Sequence, residues 1–542
     1  MILLLALACD PNPATEPTVT PGESALVELD APRLLRRLSL DLRGVLPSVE
    51  ELDAVEADPA ALESYRDAWL SDPRLEARLA DMLAEQWHTR VDEYLVKYEE
   101  YRALENNPYN EFPFERAVAD EPLRLMAHIV VTDRPWTEVV TADYTMANEL
   151  LASVWSVERE PGEGWTVARY HDGRPAAGVL ATNGLWWRYY TTVSNVNRGR
   201  VAAIARLLTC TDYLSRPISL VEAPALGDAD GIEEALRTNP YCQGCHSSLD
   251  PAASALFGFW VANEYNIDEI DSYHPERERM GEQMMGSAPA WFGTPVAGLG
   301  ELGQAIAHDP RFDRCAVQNF AQALWHREVE ISDFERIESL RQTFVEEGLL
   351  VRALLSAITD TPQYRAGGLL PDADAETLER ENTLRLVTPE QWTTLIEDLT
   401  GFEWDVNGFT QMLNDTYGFR VLAGGVDGNF VTRPQRTPSL TWALTIQRLA
   451  EAASYHAVQE ELYGSGEHHL FQHVTQQSRP GDADFDLELS ELCWRLYGVR
   501  PDAERLDALS SLWTAVAAED DPGAAWQATL TAMLRDPEMG GF

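Results

Sequence analysis

The chain has 542 residues, enough for several domains that each bury a core, and its 45% apolar and 24% charged residues are the balance of a globular protein. Asp and Glu number 88 against 42 Lys and Arg, a formal net charge of −46. An excess of that size with no segregated basic patch repels phosphate, which argues against nucleic acid or an anionic lipid surface as a partner.

At the start, MILLLALAC is an apolar run too short to cross a bilayer, followed by the aperiodic DPNPATEPTVTPGES. It resembles the end of a bacterial lipoprotein signal, in which Cys9 would carry the lipid and residues 1–8 would be removed. A basic n-region is missing, and Ala6 stands where Leu is more usual. The alternative is a frayed hydrophobic N-terminus. On the lipoprotein reading, residues 1–24 are a signal end and tether. The protein is then exported, periplasmic or on the outer surface of a Gram-negative bacterium, and touches membrane by its lipid anchor only.

Residues 33–54, RLLRRLSLDLRGVLPSVEELDA, predict two helices broken at Gly44 to Pro47, with Ser48 capping the second. The block returns as CWRLYGVRPDAERLDA at 493–508, which aligns with 39–54 without a gap. Leu42, Gly44, Val45 and Pro47 match Leu496, Gly498, Val499 and Pro501, and each copy runs on into a further amphipathic segment. Two copies of one helical unit therefore bracket the rest. Between them helical periods dominate, as in EPLRLMAHIVV, VNRGRVAAIARLL and LTWALTIQRLAEAAS. The one strand-like stretch is a short hairpin expected around GWTVARYHDGRPAAGVLAT, with its Asp-Gly turn signal. The expected fold is mainly α, a multidomain helical scaffold. Its N-terminal helical domain spans 25–120, a second helical domain 121–160, a domain holding two closely spaced cysteines 161–330 and a helical extension 331–366. A Gly-, Pro- and acid-rich linker at 367–384 leads to a helical domain at 385–480 and the repeated unit at 481–542.

The chemistry lies in NPYCQGCHSSLDPAASALFGFW, residues 239–260. Cys242, Cys245 and His246 form C-x-x-C-H, the attachment signal for one covalent haem c: two thiols add to the vinyl groups and the adjacent imidazole binds iron. A zinc site would need a second ligand pair, whereas Cys210, Cys315 and Cys493 stand alone in sequence. A thioredoxin-like dithiol would need a βαβ pattern, which is absent. Pro240 and Pro251 predict non-helical backbone on both sides of the motif, and Leu256, Phe257, Phe259 and Trp260 are candidates for an apolar wall against the porphyrin. For the second axial position Met280, Met284 and Met285 are candidates, Met285 foremost, with His274 a rival. The alternatives are methionines that only fill gaps, or five-coordinate iron. His469 and His473 lie four residues apart, a metal-gripping spacing on a helix, but without a third ligand a solvated or capping role fits better.

The run CQGCHSSLDPAASALFGF resembles the signature "C-x-x-C-H, Asp-Pro, ALE-x-F" of multidomain cytochrome-c-like proteins abundant in planctomycetes and myxobacteria, whose component domains are of unknown function. Ala-Ala follows Asp-Pro in place of the usual Ile-Gly, and Phe257 stands in place of the Glu. The resemblance extends upstream through GVLATNGLWWRYYTTVSNVNRGRVAAIARLLTC and downstream through FGTPVAGLGELGQAIAHDPRFDRCAVQNFAQALW. It implies an exported, redox-active haem protein and names no substrate. It also places Cys210 and Cys315 inside the haem domain, where an oxidising compartment permits a disulfide that would stabilise by about 4 to 5 kcal/mol in the chain-entropy model. Cys493, on an apolar helical face, is expected to be buried. The function expected is one-electron transfer at the cell envelope, with a basic redox partner drawn to the acidic surface. Two alternatives remain open: a haem-dependent oxidoreductase acting on an organic or polymeric substrate, and a cell-surface binding or assembly protein with structural haem.

Overall fold

The computed structural model describes residues 25–92, 94, 104, 111–155, 157–215, 229–260, 272–373, 377, 381, 384–464, 466 and 468–542. Cys9 and the tether lie outside them. The protein is mainly α, and the local signals explain where its helices begin. α1 (Ala31–Leu42) opens with Pro32 in its first turn and with the Asp30 carboxylate accepting from the Arg33 backbone N–H. α2 (Val49–Ala57) opens on a capping box in which Ser48 and Glu51 each accept from the other's backbone N–H. α3 (Arg74–Trp87) ends on His88 in the left-handed conformation and packs against α4 (Glu111–Val131).

Strand β1 (Leu26–Glu28) is followed by the three-stranded antiparallel sheet of β2 (Thr145–Ala147), β3 (Val157–Arg159) and β4 (Thr166–Tyr170), with β4 in the middle. This corrects the expected hairpin: β4 pairs with the two strands that precede it, and the Asp172–Gly173 turn leads away from the sheet. Asp172 is engaged by the Arg174 guanidinium and by the Tyr273 backbone N–H, so the turn anchors a loop. β5 (Ala366–Leu369), at the start of the stretch read as a linker, pairs antiparallel with β1.

The C-x-x-C-H motif falls on α6 (Pro240–Ser254), against which α5 (Arg198–Thr209) and α7 (Met280–Met285) pack, and α8 (Pro310–Trp325) packs in turn on α5. Beyond β5 come α9 (Pro389–Thr400), α10 (Leu440–Ala457), α11 (Ala483–Tyr497), α12 (Ala503–Glu519) and α13 (Pro522–Leu534). Among the described residues no helix is long and apolar enough to cross a membrane.

Two large cores result. One draws on residues from Leu34 to Tyr364 together with Trp494; the other on Leu40, Leu46 and residues from Leu386 to Met539. A smaller cluster gathers Phe114, Trp155 and Trp187. α1 serves both large cores, and every residue from Leu34 to Leu42 is buried. Its two charged positions deepest in the joint are met by chain from far along the sequence. One Arg37 nitrogen donates to the carbonyls of Tyr364 and Ala366, both at 2.6 Å. Asp41 accepts from the Tyr364 hydroxyl at 3.0 Å and faces the Arg385 guanidinium at 3.5 Å.

The repeat is realised as structure. α1–α2 and α11–α12 turn at Gly44 (φ 75°) and Gly498 (φ 66°), a left-handed conformation in which a side chain would be strained. Each second helix is capped at the aligned position, by Ser48 and by Asp502. The copies touch: the Trp494 indole N–H donates to Asp53 at 2.9 Å, and Arg36 donates to the Leu496 carbonyl at 2.8 Å.

Candidate functional site

C-x-x-C-H lies inside α6, which corrects the expectation of non-helical backbone on both sides. Pro240 occupies the first helical position, where a missing N–H leaves no bond unmade, and the Asn239 side chain caps the turn by accepting from the Tyr241 N–H at 2.9 Å. Pro251 sits in the last turn and forfeits one helical bond shortly before the helix ends at Ser254. Helical spacing then sets Cys242 one turn from both Cys245 and His246. Both cysteines are free thiols, half-buried, and Cys245 packs against the large N-terminal core.

The imidazole is held from one side. His246 Nδ1 lies 2.9 Å from Asp250 Oδ1, one turn further along α6. Asp250 is in turn gripped by Arg198, the first residue of α5, through Nε at 2.7 Å and a second guanidinium nitrogen at 3.3 Å. Burial alone would raise the Asp250 carboxyl; the hydrogen bonds from His246 and Arg198, with the Arg198 charge, hold it below its ordinary value. Among the described residues Nε2 of His246 has no hydrogen-bond partner.

The structure joins Cys210 and Cys315 in a disulfide, with Cα atoms 5.3 Å apart. It ties the residue that ends α5 to the middle of α8, at the opposite end of α5 from Arg198. Cys493 is fully buried in the C-terminal core, where burial pushes its thiol up to about 12.

Other candidates fall elsewhere. Leu256, Phe257, Phe259 and Trp260 are 1%, 0%, 2% and 7% exposed and do not form an open wall. The chain leaves α6 in a short 3-10 turn that folds this run into the protein, with Phe259 against Tyr273 at 5.0 Å and Trp186 at 5.8 Å, and Phe257 stacked on Trp260. Met280, Met284 and Met285 lie on α7, which crosses α6 at Ser254. There the Ser254 hydroxyl reaches the carbonyls of Ser287 at 2.8 Å and Gly281 at 3.3 Å, and a Cβ on Gly281 would stand 2.1 Å from the Ser254 carbonyl oxygen. Ser254 is eight residues past His246, about 12 Å of helix rise. Met284 is exposed, and Met285 rests against the large N-terminal core. His274 donates its backbone N–H to the Gly258 carbonyl, with its ring 3.5 Å from Glu276. His469 and His473 sit on no helix; His473 Nε2 lies 2.8 Å from Glu491.

Asp250 and Arg198 are the site residues that motif reading missed. Asp250 had a signal, a carboxylate four residues after the histidine, which becomes a same-face pair once the segment is helical. Arg198, 52 residues upstream in a different helix, had none.

Among the described residues no group of three or more His, Cys, Asp and Glu is placed to hold a metal ion, so what would hold iron here is a haem tethered by the thiols, with the His246 imidazole beside them. The residues fit that role: two half-buried thiols one turn apart and an adjacent imidazole whose far nitrogen is unengaged among the described residues. No curated protein and no solved structure matches the chain. Residues 21–159, upstream of α6, are similar to the PSCyt2 family, a protein of unknown function (DUF1549).

Proposed function

We propose that α6 attaches one haem c through Cys242 and Cys245, with His246 as the proximal ligand, and that the protein passes single electrons at the cell envelope. The observation that carries this reading is the bond between His246 Nδ1 and Asp250, because a metal-ligating histidine characteristically donates its other ring N–H to a carboxylate or carbonyl. The haem supplies a one-electron iron couple when bound. The chain's own residues do the rest. The thiols tether, the helix fixes the distance from thiol to imidazole, and Asp250 and Arg198 orient the ring. Met285, Met284, Met280 and His274 remain candidates for the opposite face. A net charge of −46 favours a basic redox partner, met at a rate that falls with ionic strength. Cys9 as a lipid anchor would keep the protein on the membrane of a Gram-negative envelope.

The test is maturation in a host able to attach c-type haem, followed by intact mass and optical spectra. A gain of one haem, lost in Cys242→Ala with Cys245→Ala, is expected, with a low-spin reduced spectrum unmoved by carbon monoxide. A spectrum that shifts with carbon monoxide would indicate open iron and an oxidoreductase instead. No attachment would remove the haem reading altogether.

A further inference from the structure

Arg198 occupies an awkward place. It opens α5, where the helix dipole disfavours a cation, and the first turn of that helix holds no acidic residue to offset it. What compensates is Asp250: its Oδ1 lies 2.7 Å from Arg198 Nε and 2.9 Å from His246 Nδ1, so one carboxylate oxygen serves both partners. The Asp250 side chain is 14% exposed and that of Arg198 23%, so the contact is largely withdrawn from solvent and its electrostatics exceed those in water.

An ionised carboxylate only accepts hydrogen bonds, and a neutral imidazole carries its proton on one nitrogen only. The proton of a neutral His246 therefore sits on Nδ1, which leaves the lone pair on Nε2. Because Asp250 is one turn away on the same helix, this arrangement is built by α6 itself, and Arg198 adjusts it from outside. The guanidinium draws charge from the shared oxygen and weakens its pull on the Nδ1 proton.

We propose, resting on the haem reading above, that Asp250 is the positioning residue that presents His246 Nε2 to iron, and that Arg198 moderates how electron-rich that nitrogen becomes. The two act with opposite sign. A stronger acceptor at Nδ1 makes Nε2 a better donor and favours the oxidised metal; a weaker one favours the reduced metal.

Two measurements test this on the full chain. In the haem-free protein, long-range nitrogen–proton NMR of His246, followed upward in pH until the ring signals stop changing, should show the Nδ1–H tautomer. Asp250→Ala should move it towards Nε2–H, with far-UV circular dichroism checking the fold. In the haem-loaded protein, Asp250→Asn should raise the midpoint potential and Arg198→Gln lower it, each by about a tenfold change in ferric preference, or 59 mV for a one-electron couple. Arg198→Lys, which keeps the charge, should stay near wild type. An Nε2–H tautomer in the wild type, or potential shifts of the same sign in both variants, would overturn the proposal. If the wild type takes up no haem, the functional reading fails, while the tautomer still decides whether Asp250 orients the ring.

Discussion

The two copies of the repeated unit carry one pattern into different surroundings. Aligned positions 40 and 494 exchange sides: Leu40 lies in the C-terminal core and Trp494 in the N-terminal one, so each copy reaches into the other's half. The charged positions diverge. Arg37 and Asp41 of α1 are 0% exposed and covered by Tyr364, Ala366 and Arg385. Their counterparts on α11, with the alignment carried two residues upstream, are Glu491 and Arg495. These are half-buried and line an open cleft of about 590 Å³ between the copies. Arg495 has one hydrogen bond, to the His469 carbonyl at 2.6 Å, and among the described residues no carboxylate within 4 Å. Glu491 pairs with His473. A duplicated helix thus keeps its caps and turn while its polar positions adapt to what packs beside them. Buried charge is tolerated in the first copy because distant segments supply hydrogen bonds to Arg37 and Asp41 and set the Arg385 charge beside the carboxylate.

The sharpest way to break this comparison is to remove the aligned charges. Asp41→Ala leaves the Tyr364 hydroxyl and the Arg385 guanidinium facing each other in a closed interior, and it should cost about 3 to 5 kcal/mol. Arg495→Ala, at the aligned position in the open cleft, should cost under about 1 kcal/mol. Urea denaturation of both variants measures this; equal losses would mean that the second copy carries a buried charge centre of its own.

Acid sharpens the contrast, because each copy keeps a histidine beside its charged pair and the two titrate in opposite directions. Burial pushes the His326 imidazole, 3.7 Å from Asp41, down to about 4. Between that value and the ordinary one near 6.5 the unfolded chain binds more protons than the folded one. His326 therefore contributes its full stability above about pH 6.5 and loses roughly 3 kcal/mol as the pH falls to about 4. The hydrogen bond to Glu491 instead raises His473. Its contribution is complete below pH 6.5 and is lost as the pH rises through the folded value. In urea midpoints taken against pH, His326→Gln should flatten the acid limb, and His473→Gln should remove a smaller stabilisation present only on the acid side. The same slope in both variants would contradict the assignment.

These outcomes also mark what was legible in the residues. The helices were, because caps, periodicity and the Gly44/Gly498 turns are local. The C-x-x-C-H motif was legible as chemistry but not as a helix. A proline at the first helical position looks in sequence like any other proline, and only the chain after it shows that the helix continues. Asp250 was hidden by that error, since its tie to His246 exists only at helical spacing. The Asp41 joint was not legible at all: Tyr364 and Arg385 lie more than 300 residues from Asp41, and nothing near any of the three announces the others. The run from Leu256 to Trp260 was read as a surface for a cofactor because apolarity says that a residue is buried, not against what.

The smallest difference lies at the start of the second helix in each copy. Ser48 and Asp502 cap α2 and α12 at aligned positions, accepting from the backbone N–H three residues on at 3.2 and 2.8 Å. Replacing either by Ala should cost about 1 kcal/mol. The residue three positions further on separates them. Glu51 closes the box by accepting from the Ser48 N–H at 2.9 Å and also holds Arg43, whereas Arg505 at the same position lies over the Tyr497 ring and donates to Glu538. Glu51→Ala should therefore cost about a further 1 kcal/mol, and Arg505→Ala under about 0.5 kcal/mol, as for a surface ion pair. If the two matched, the capping box would add nothing beyond the cap, and the copies would differ only where their neighbours differ.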